Sequence, residues 1–228
     1  MADVIDTLAG IRPGSLLDAV RAERTQARIH AQASHDSLFK PLCEADASTR
    51  ERFAIACFVA GLHNQPDIVA FYEKGLGDEA LKAAIAAAAI AARAHGPYGR
   101  YPKGPLSVED KPGAAHRIAS PGREALGSRL VAAFEHAHML VFHPRDSAPP
   151  CLQALLDAGW STTGIVVISQ LVAFLSYQIR VVAGLCVLKS RPAWATRLFP
   201  SPSMSSRWSS RVSSSTGCPG SSRWPSRI

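Results

Sequence analysis

The feature that most constrains the fold is a pair of helix signals between residues 48 and 72. Ser48-Thr-Arg-Glu51 has the spacing of a capping box, in which serine and glutamate each bind a backbone N–H at the helix start. Apolar residues then recur at helical spacing: Phe53, Ala56, Cys57, Ala60 and Leu62. Asn64-Gln-Pro66 interrupts this helix and begins another that we expect to end near Lys74. The segment predicts two consecutive helices.

The rest of the chain up to about residue 190 also carries helix signals and lacks the alternation of strands. An alanine-rich helix should begin after Asp78 and stop at Gly96-Pro97. The other expected helices are Ser15 to about Phe39, Arg123 to Phe142, Pro149 to Asp157, and Ser161 to Ala183. These patterns predict an all-α domain at residues 1–190 with about seven helices, in halves 1–96 and 122–190.

A proline- and glycine-rich segment, residues 97–121, joins the two predicted halves. A structureless connection of this length inside a domain is often functional. His95, Tyr98, Arg100 and Tyr101 lie at its start, and a constrained group of aromatic and basic side chains suits an anionic ligand or a subunit interface. The alternative is that the segment only seals the space between the halves.

Residues 191–228 differ in kind from the rest of the chain. They contain six arginines, no acidic residue and many serines and prolines, which predicts disorder. This composition is consistent with an RNA-binding tail, but out-of-frame translation of GC-rich DNA also produces it, and we favour that explanation. Removing the six arginines from the 25 basic residues leaves 19 against 18 acidic residues, so the body lacks the charge expected for nucleic-acid binding.

The apolar segment 164–188 is long enough to cross a membrane, but Ser169, Gln170, Ser176, Gln178 and Arg180 interrupt it. We therefore expect a buried core helix and no membrane association. The N-terminus carries no signal-peptide pattern, and the five cysteines form no paired motif. These features predict a cytoplasmic protein without disulfides.

The densest group of chemically active side chains is Glu135-His136-Ala-His138. Glu135 and His138 share a helix face, whereas His136 points nearly opposite, so the pattern is poor for a metal site. We predict no metal and no cofactor. Glu135, His138 and His63 remain candidate acid–base residues.

Four cysteines of the body are candidates for a relocated reactive thiol. Cys57 and Cys186 are expected to be buried in helices and inert. Cys43 and Cys151 lie near helix starts and are expected to be partly exposed.

Residues 48–72 and 123–188 resemble the two helical halves of the carboxymuconolactone decarboxylase-like superfamily, which includes alkylhydroperoxidase D. The resemblance rests on residues 50–52 and 55–60, on Leu155-Leu-Asp-Ala-Gly-Trp-Ser-Thr-Thr-Gly-Ile165, and on residues 171–180 and 183–185. It implies a helical fold, homo-oligomers and peroxide-reducing chemistry. The family's C-x-x-C-x-x-x-H element would fall at about Gln65, Ile68 and Tyr72, where neither a thiol nor an imidazole is present.

The resemblance would give Glu51 the place of an acidic proton relay, although a capping-box carboxylate explains it equally well. Three functions follow as expectations. The first is a peroxidase-related antioxidant protein without the C-x-x-C element, non-catalytic or partnered with an active paralogue. The second is a thiol-independent lyase or decarboxylase, with Glu135, His138 or His63 as base and Arg100 binding a carboxylate. The third is a structural interaction module.

Overall fold

A computed structural model describes residues 3–190, and the predicted tail lies outside these residues. Within this range the chain forms helices and no strand. The nine α-helices are α1 (Val4–Ala9), α2 (Leu16–Ala22), α3 (Thr25–Phe39), α4 (Thr49–Leu62), α5 (Pro66–Glu73), α6 (Glu79–Ala91), α7 (Ser120–Phe142), α8 (Pro149–Asp157) and α9 (Thr162–Ser190). The all-α prediction is confirmed, with two helices more than expected.

The single helix predicted from Ser15 to Phe39 is wrong, because the chain breaks between α2 and α3. Thr25 bonds back to the last turn of α2, its hydroxyl 2.7 Å from the Ala22 carbonyl. Arg21 of α2 and Arg28 of α3 both bind the buried carboxylate of Asp6 in α1. These ion pairs hold three short helices together, and neither the break nor α1 was expected from the apolar pattern.

Helix α4 forms the centre of the domain. It begins at Ser48 with the predicted capping box, and it packs against α5, α6 and α7. Phe58 of α4 stacks on Phe134 of α7, with ring centroids 4.3 Å apart and ring planes nearly parallel. The predicted halves therefore share one core, because the middle of α4 is buried on all sides.

The segment between α6 and α7 is less irregular than predicted. It contains a 3₁₀ turn at Pro105–Glu109 and an isolated bridge between Gly99 and Lys111. Gly113 packs against α7, where a Cβ atom would lie 2.3 Å from the Cβ of His143. A side chain at residue 113 would push the segment away from the end of α7.

Two of the second-half helices, α8 and α9, begin within one residue of their predicted starts. Helix α7 begins three residues earlier than expected and has a kink at Gly127, where φ is 79°. Ser161 caps α9 by accepting a hydrogen bond from the Gly164 N–H at 2.9 Å. Residues 1–186 form one compact unit, and the end of α9 belongs to a second unit that begins at residue 187.

By length and composition alone, α9 could cross a membrane, with a mean hydropathy of 1.9 in its most apolar window. Of that window, 44% is buried inside the protein. The core helices of soluble proteins have the same composition, so the length of α9 does not decide between the two environments.

Candidate functional site

The position where the resemblance would place reactive thiols is filled by core residues. Gln65 precedes the first turn of α5, and Ile68 and Tyr72 are fully buried. The Tyr72 hydroxyl donates a 2.6 Å hydrogen bond to the amide oxygen of Gln178 in α9. Burial raises the pKa of Tyr72 well above its usual range despite this bond, so the phenol stays neutral.

Glu51 is occupied by structural contacts. Its carboxylate accepts hydrogen bonds from the Ser48 N–H at 2.8 Å and from Arg129 Nε at 2.7 Å. Burial acts to raise the pKa of Glu51, but Arg129 and Ser48 outweigh burial and hold it below the usual value. Arg129 also binds the carbonyls of Asp46 and Gly159 and stacks on the Trp160 ring at 3.9 Å. Glu51 thus helps Arg129 join the two halves.

The second half contains a cavity of about 170 Å³ between α7, α8 and the segment that precedes α7. We call it the thiol cavity, because the Cys151 side chain lines it. Its other polar and sulfur-containing lining residues are His116, Arg117, Glu135, His136, Met139 and His143. Glu135 and His136 therefore face the same space, contrary to the prediction that His136 points away from Glu135.

The imidazoles in and beside the thiol cavity have few hydrogen-bond partners. His116 Nε2, His136 Nδ1 and both ring nitrogens of His143 are buried without one. His143 Nδ1 lies 3.3 Å from an Asp146 carboxylate oxygen, but not in hydrogen-bonding geometry. His136 Nε2 is 3.5 Å from the Ser169 hydroxyl, a long contact. Burial lowers the pKa values of His116 and His136, so both rings are neutral proton acceptors at pH 7.

His138 is buried behind this cavity and does not line it. Its ring centroid lies 5.0 Å from that of His116, 5.8 Å from that of His143 and 4.9 Å from that of Phe142. Burial lowers the pKa of His138 to about 4, and the neighbouring His116 and His143 act in the same direction. His138 therefore does not line the thiol cavity with Glu135, and its acid–base role stays a prediction.

Glu135 is held in place by positive charge. Its carboxylate pairs with Arg117 at 2.5 Å and Arg123 at 3.2 Å, and it accepts the Ile118 N–H at 3.1 Å. These contacts anchor residues 117–123 to α7. An acid–base role for Glu135 would require breaking at least one of these contacts.

Cys151 lies in the first turn of α8. Among the described helices, only α8 has its N-terminal end at the thiol cavity. Cys151 is partly exposed, as predicted, and its N–H bonds to the Ala148 carbonyl at 2.9 Å. Cys57 is buried as expected, and burial, followed by the nearby Glu73, raises the pKa of its thiol to about 12. Cys186 was predicted to be buried, but it is exposed because it lies on the outer face of α9.

A second cavity, of about 260 Å³, lies where α4 and α7 end. We call it the Arg180 cavity. His63, His95 and Arg180 line it together with Phe142, so the structure brings two of the predicted residues into one space. Burial lowers the pKa of His63, and the Arg180 charge adds to this effect. His63 Nε2 is buried without a hydrogen-bond partner.

The remaining predicted residues form part of the surface of the inter-helix segment. The Tyr98 ring lies under the Lys111 ammonium at 4.4 Å, and the Tyr101 ring lies under the Arg145 guanidinium at 3.8 Å. Arg100 is exposed and lines neither cavity. These cation–π contacts favour the sealing role over ligand binding for the two tyrosines.

The sequence did not indicate that His116, His143 and Cys151 would meet. They come from three different elements, and the segment that carries His116 had no periodic pattern to orient it. The one available signal was the placement of Cys151 after two prolines at a helix start. Among residues 3–190, no group of three or more histidine, cysteine or acidic side chains has positions that would hold a metal ion.

Comparison of the chain with protein-family models, with curated proteins and with solved structures finds no match in any of the three. The function must therefore be argued from the side chains of the two cavities.

Proposed function

We propose that this protein is a peroxidase-related thiol enzyme that reduces small hydroperoxides with Cys151 as its nucleophile. The observation that carries the proposal is that Cys151 and three histidines line one small cavity. Of these, His116 and His136 have lowered pKa values, and both ring nitrogens of His143 are without a hydrogen-bond partner. A thiol needs a nearby base to become the nucleophilic thiolate, and a neutral imidazole is such a base. The position in the first turn of α8 adds favourable backbone dipoles for a thiolate.

The proposed reaction begins when His116 or His143 takes the Cys151 proton. The thiolate attacks the outer peroxide oxygen, a sulfur–oxygen bond forms, and the oxygen–oxygen bond breaks. The leaving alkoxide takes a proton from the imidazolium, which gives an alcohol and a cysteine sulfenic acid. A dithiol reductant then returns Cys151 to the thiol and releases water and the reductant's disulfide.

The size and lining of the cavity support a small substrate. A volume of about 170 Å³ lies below the range of about 300–1,000 Å³ that is typical of cavities for drug-sized ligands. Met139 and Ala154 give part of the wall an apolar surface. Hydrogen peroxide or a short alkyl hydroperoxide fits this description.

The first-half position implied by the resemblance offers no alternative site for the same chemistry. Ile68 and Tyr72 are buried there, and the nearby Cys57 is a protonated core thiol. The non-catalytic form of the peroxidase-related hypothesis is therefore less well supported than a relocated thiol. Assembly with copies of itself and a cytoplasmic location remain predictions from the sequence.

Hydroperoxide consumption by the full chain with dithiothreitol tests the proposal. We expect turnover that falls at least about 100-fold in Cys151→Ser, because Cys151 is the only thiol among the described residues that line the cavity. Cys43→Ser, which removes an exposed thiol outside the cavity, is the matched control and should retain activity within about twofold. Trapping with a sulfenic-acid reagent should label Cys151. Equal turnover by Cys151→Ser and the unaltered chain would reject the proposal.

The thiol-independent lyase is less well supported by the same geometry. Its proposed bases are divided between places: Glu135 lines the thiol cavity, His63 lines the Arg180 cavity, and His138 is buried. Arg100 lines neither cavity. Neither of these two cavities holds a base together with Arg100.

A further inference from the structure

The polar side chains that line the Arg180 cavity are basic. His63, at the end of α4, His95, after α6, and Arg180, on α9, provide nitrogen donors, and none of the described residues that line the cavity is acidic. Within residues 3–190, Arg180 forms no ion pair. Three groups that can donate to an anion therefore border a space that is open to solvent, since His95 and Arg180 are exposed, and no side chain lining it accepts from them.

Backbone carbonyls at the ends of helices would repel an anion here, but two of those at the ends of α4 and α7 are already bonded. The Phe142 carbonyl accepts the Tyr98 N–H at 2.7 Å. The Gly61 carbonyl accepts Arg93 Nε at 3.1 Å. These bonds reduce the negative potential that the ends of α4 and α7 would otherwise place on the cavity.

We propose that the Arg180 cavity is a binding site for a small oxyanion, a carboxylate or inorganic phosphate. Arg180 supplies a planar pair of N–H donors that matches two anion oxygens, and His63 and His95 donate from the other walls. The bound anion accepts from the buried His63 Nε2, which has no partner in the protein. A volume of about 260 Å³ holds acetate, benzoate or phosphate.

The inference does not depend on the proposed function, because the Arg180 cavity and the thiol cavity share no lining residue. The Cys151→Ser protein should bind the anion as the unaltered chain does. Loss of peroxidase activity in that variant with unchanged anion binding would separate the two proposals experimentally.

Thermal unfolding of the full chain with increasing acetate, benzoate or phosphate tests this site, with sodium chloride at equal ionic strength as the reference. A ligand that binds the folded state raises the midpoint temperature saturably. We expect such a rise for at least one oxyanion, and the three series distinguish carboxylate from phosphate. A rise no larger than that in chloride for all three anions would overturn the proposal.

Substitutions of arginine locate the binding. Arg180→Gln should weaken apparent binding about tenfold or more, and Arg180→Lys should retain part of it as a point charge. Arg50→Gln is the matched control, because Arg50 is an exposed arginine of α4 outside the cavity. If Arg180→Gln binds as tightly as the unaltered chain, the site is elsewhere. If that variant does not fold, the His63 ring ¹⁵N resonances of the unaltered chain decide, since they must change on anion addition.

Discussion

The helix pair α4–α5 in the first half and the pair α7–α8 in the second half each consist of a helix, a break and a second helix that begins at a proline. The two pairs differ in the surroundings of the nearby cysteine. At the α4–α5 positions where the resemblance places thiols, buried Ile68 and Tyr72 fill the space. Cys57 lines a separate cavity of about 200 Å³ between α4, α5 and α6, and it is a protonated core thiol. Between α7 and α8, Cys151 and three histidines line one cavity. The difference shows that the helix–break–helix pattern does not make a reactive site. The side chains that line each cavity decide whether a cysteine has an imidazole in the same space.

The largest expected difference between the two regions is in thiol reactivity. At pH 8 a thiol with a pKa of about 12 is ionised in only about one molecule in 10⁴, and Cys57 is also 2% exposed. We expect iodoacetamide to modify Cys57 at least about 100-fold more slowly than Cys151, as measured by peptide mass spectrometry. The exposed Cys43 serves as the accessible control. Comparable rates for Cys57 and Cys151 would contradict the comparison.

Packing should also differ between the filled and the open region. Ile68→Ala in the filled region should lower the free energy of unfolding by about 3–4 kcal/mol, because it creates a new cavity. Met139→Ala, at a buried residue that already borders the thiol cavity, should lower it by no more than about 2 kcal/mol. Urea denaturation measures both, and equal losses would mean that the thiol cavity closes in solution.

The histidines of the second half should make stability depend on pH. The folded state holds the pKa of His138 at about 4, below its ordinary value of 6.5, so the unfolded state binds more protons between these values. The free energy of unfolding should therefore have its full value above pH 6.5. It should decrease by at most about 3 kcal/mol as the pH falls to 4. His138→Asn should flatten this decrease. An identical pH dependence in the variant would show that other groups cause it.

The smallest effect is expected at the hydrogen bond that completes the filled region. Tyr72→Phe removes the donor to Gln178 and leaves a buried amide oxygen unpaired, at a cost of about 1–2 kcal/mol. Adding Gln178→Leu removes the unpaired oxygen as well, so the double variant should be more stable than Tyr72→Phe alone. Additive losses in this double-mutant cycle would indicate that the two groups do not interact.

Much of the fold could be predicted because its signals are local. The capping box at Ser48, the break at Asn64-Gln-Pro66 and the cap at Ser161 each act within four residues of the chain. The single helix predicted from Ser15 to Phe39 was wrong because ion pairs from Asp6 to Arg21 and Arg28 join residues far apart in sequence. Helical periodicity contains no information about such pairs.

The candidate site could be predicted only in part, for the same reason. His63, His95 and Glu135 were identified by residue type and helix position, but their grouping into two cavities was not. His138 was expected to face a pocket with Glu135, but His136 lines the cavity and His138 does not. The surrounding elements, and not the helix face alone, decide which side chain is covered. The segment before α7 brings His116 to Cys151, and Gly113 permits its close approach to His143.

The sequence by itself determined the all-α class, the starts of most helices and the absence of thiols from the position that the resemblance suggests. These properties depend on local propensity, capping and residue identity. The tertiary structure alone decided that Tyr72 is hydrogen-bonded to Gln178. It also decided that Cys151 lines one cavity with the histidines and that Arg180 lines another with His63. Such meetings depend on how helices distant in sequence pack together, because burial and charge act through space and not along the chain.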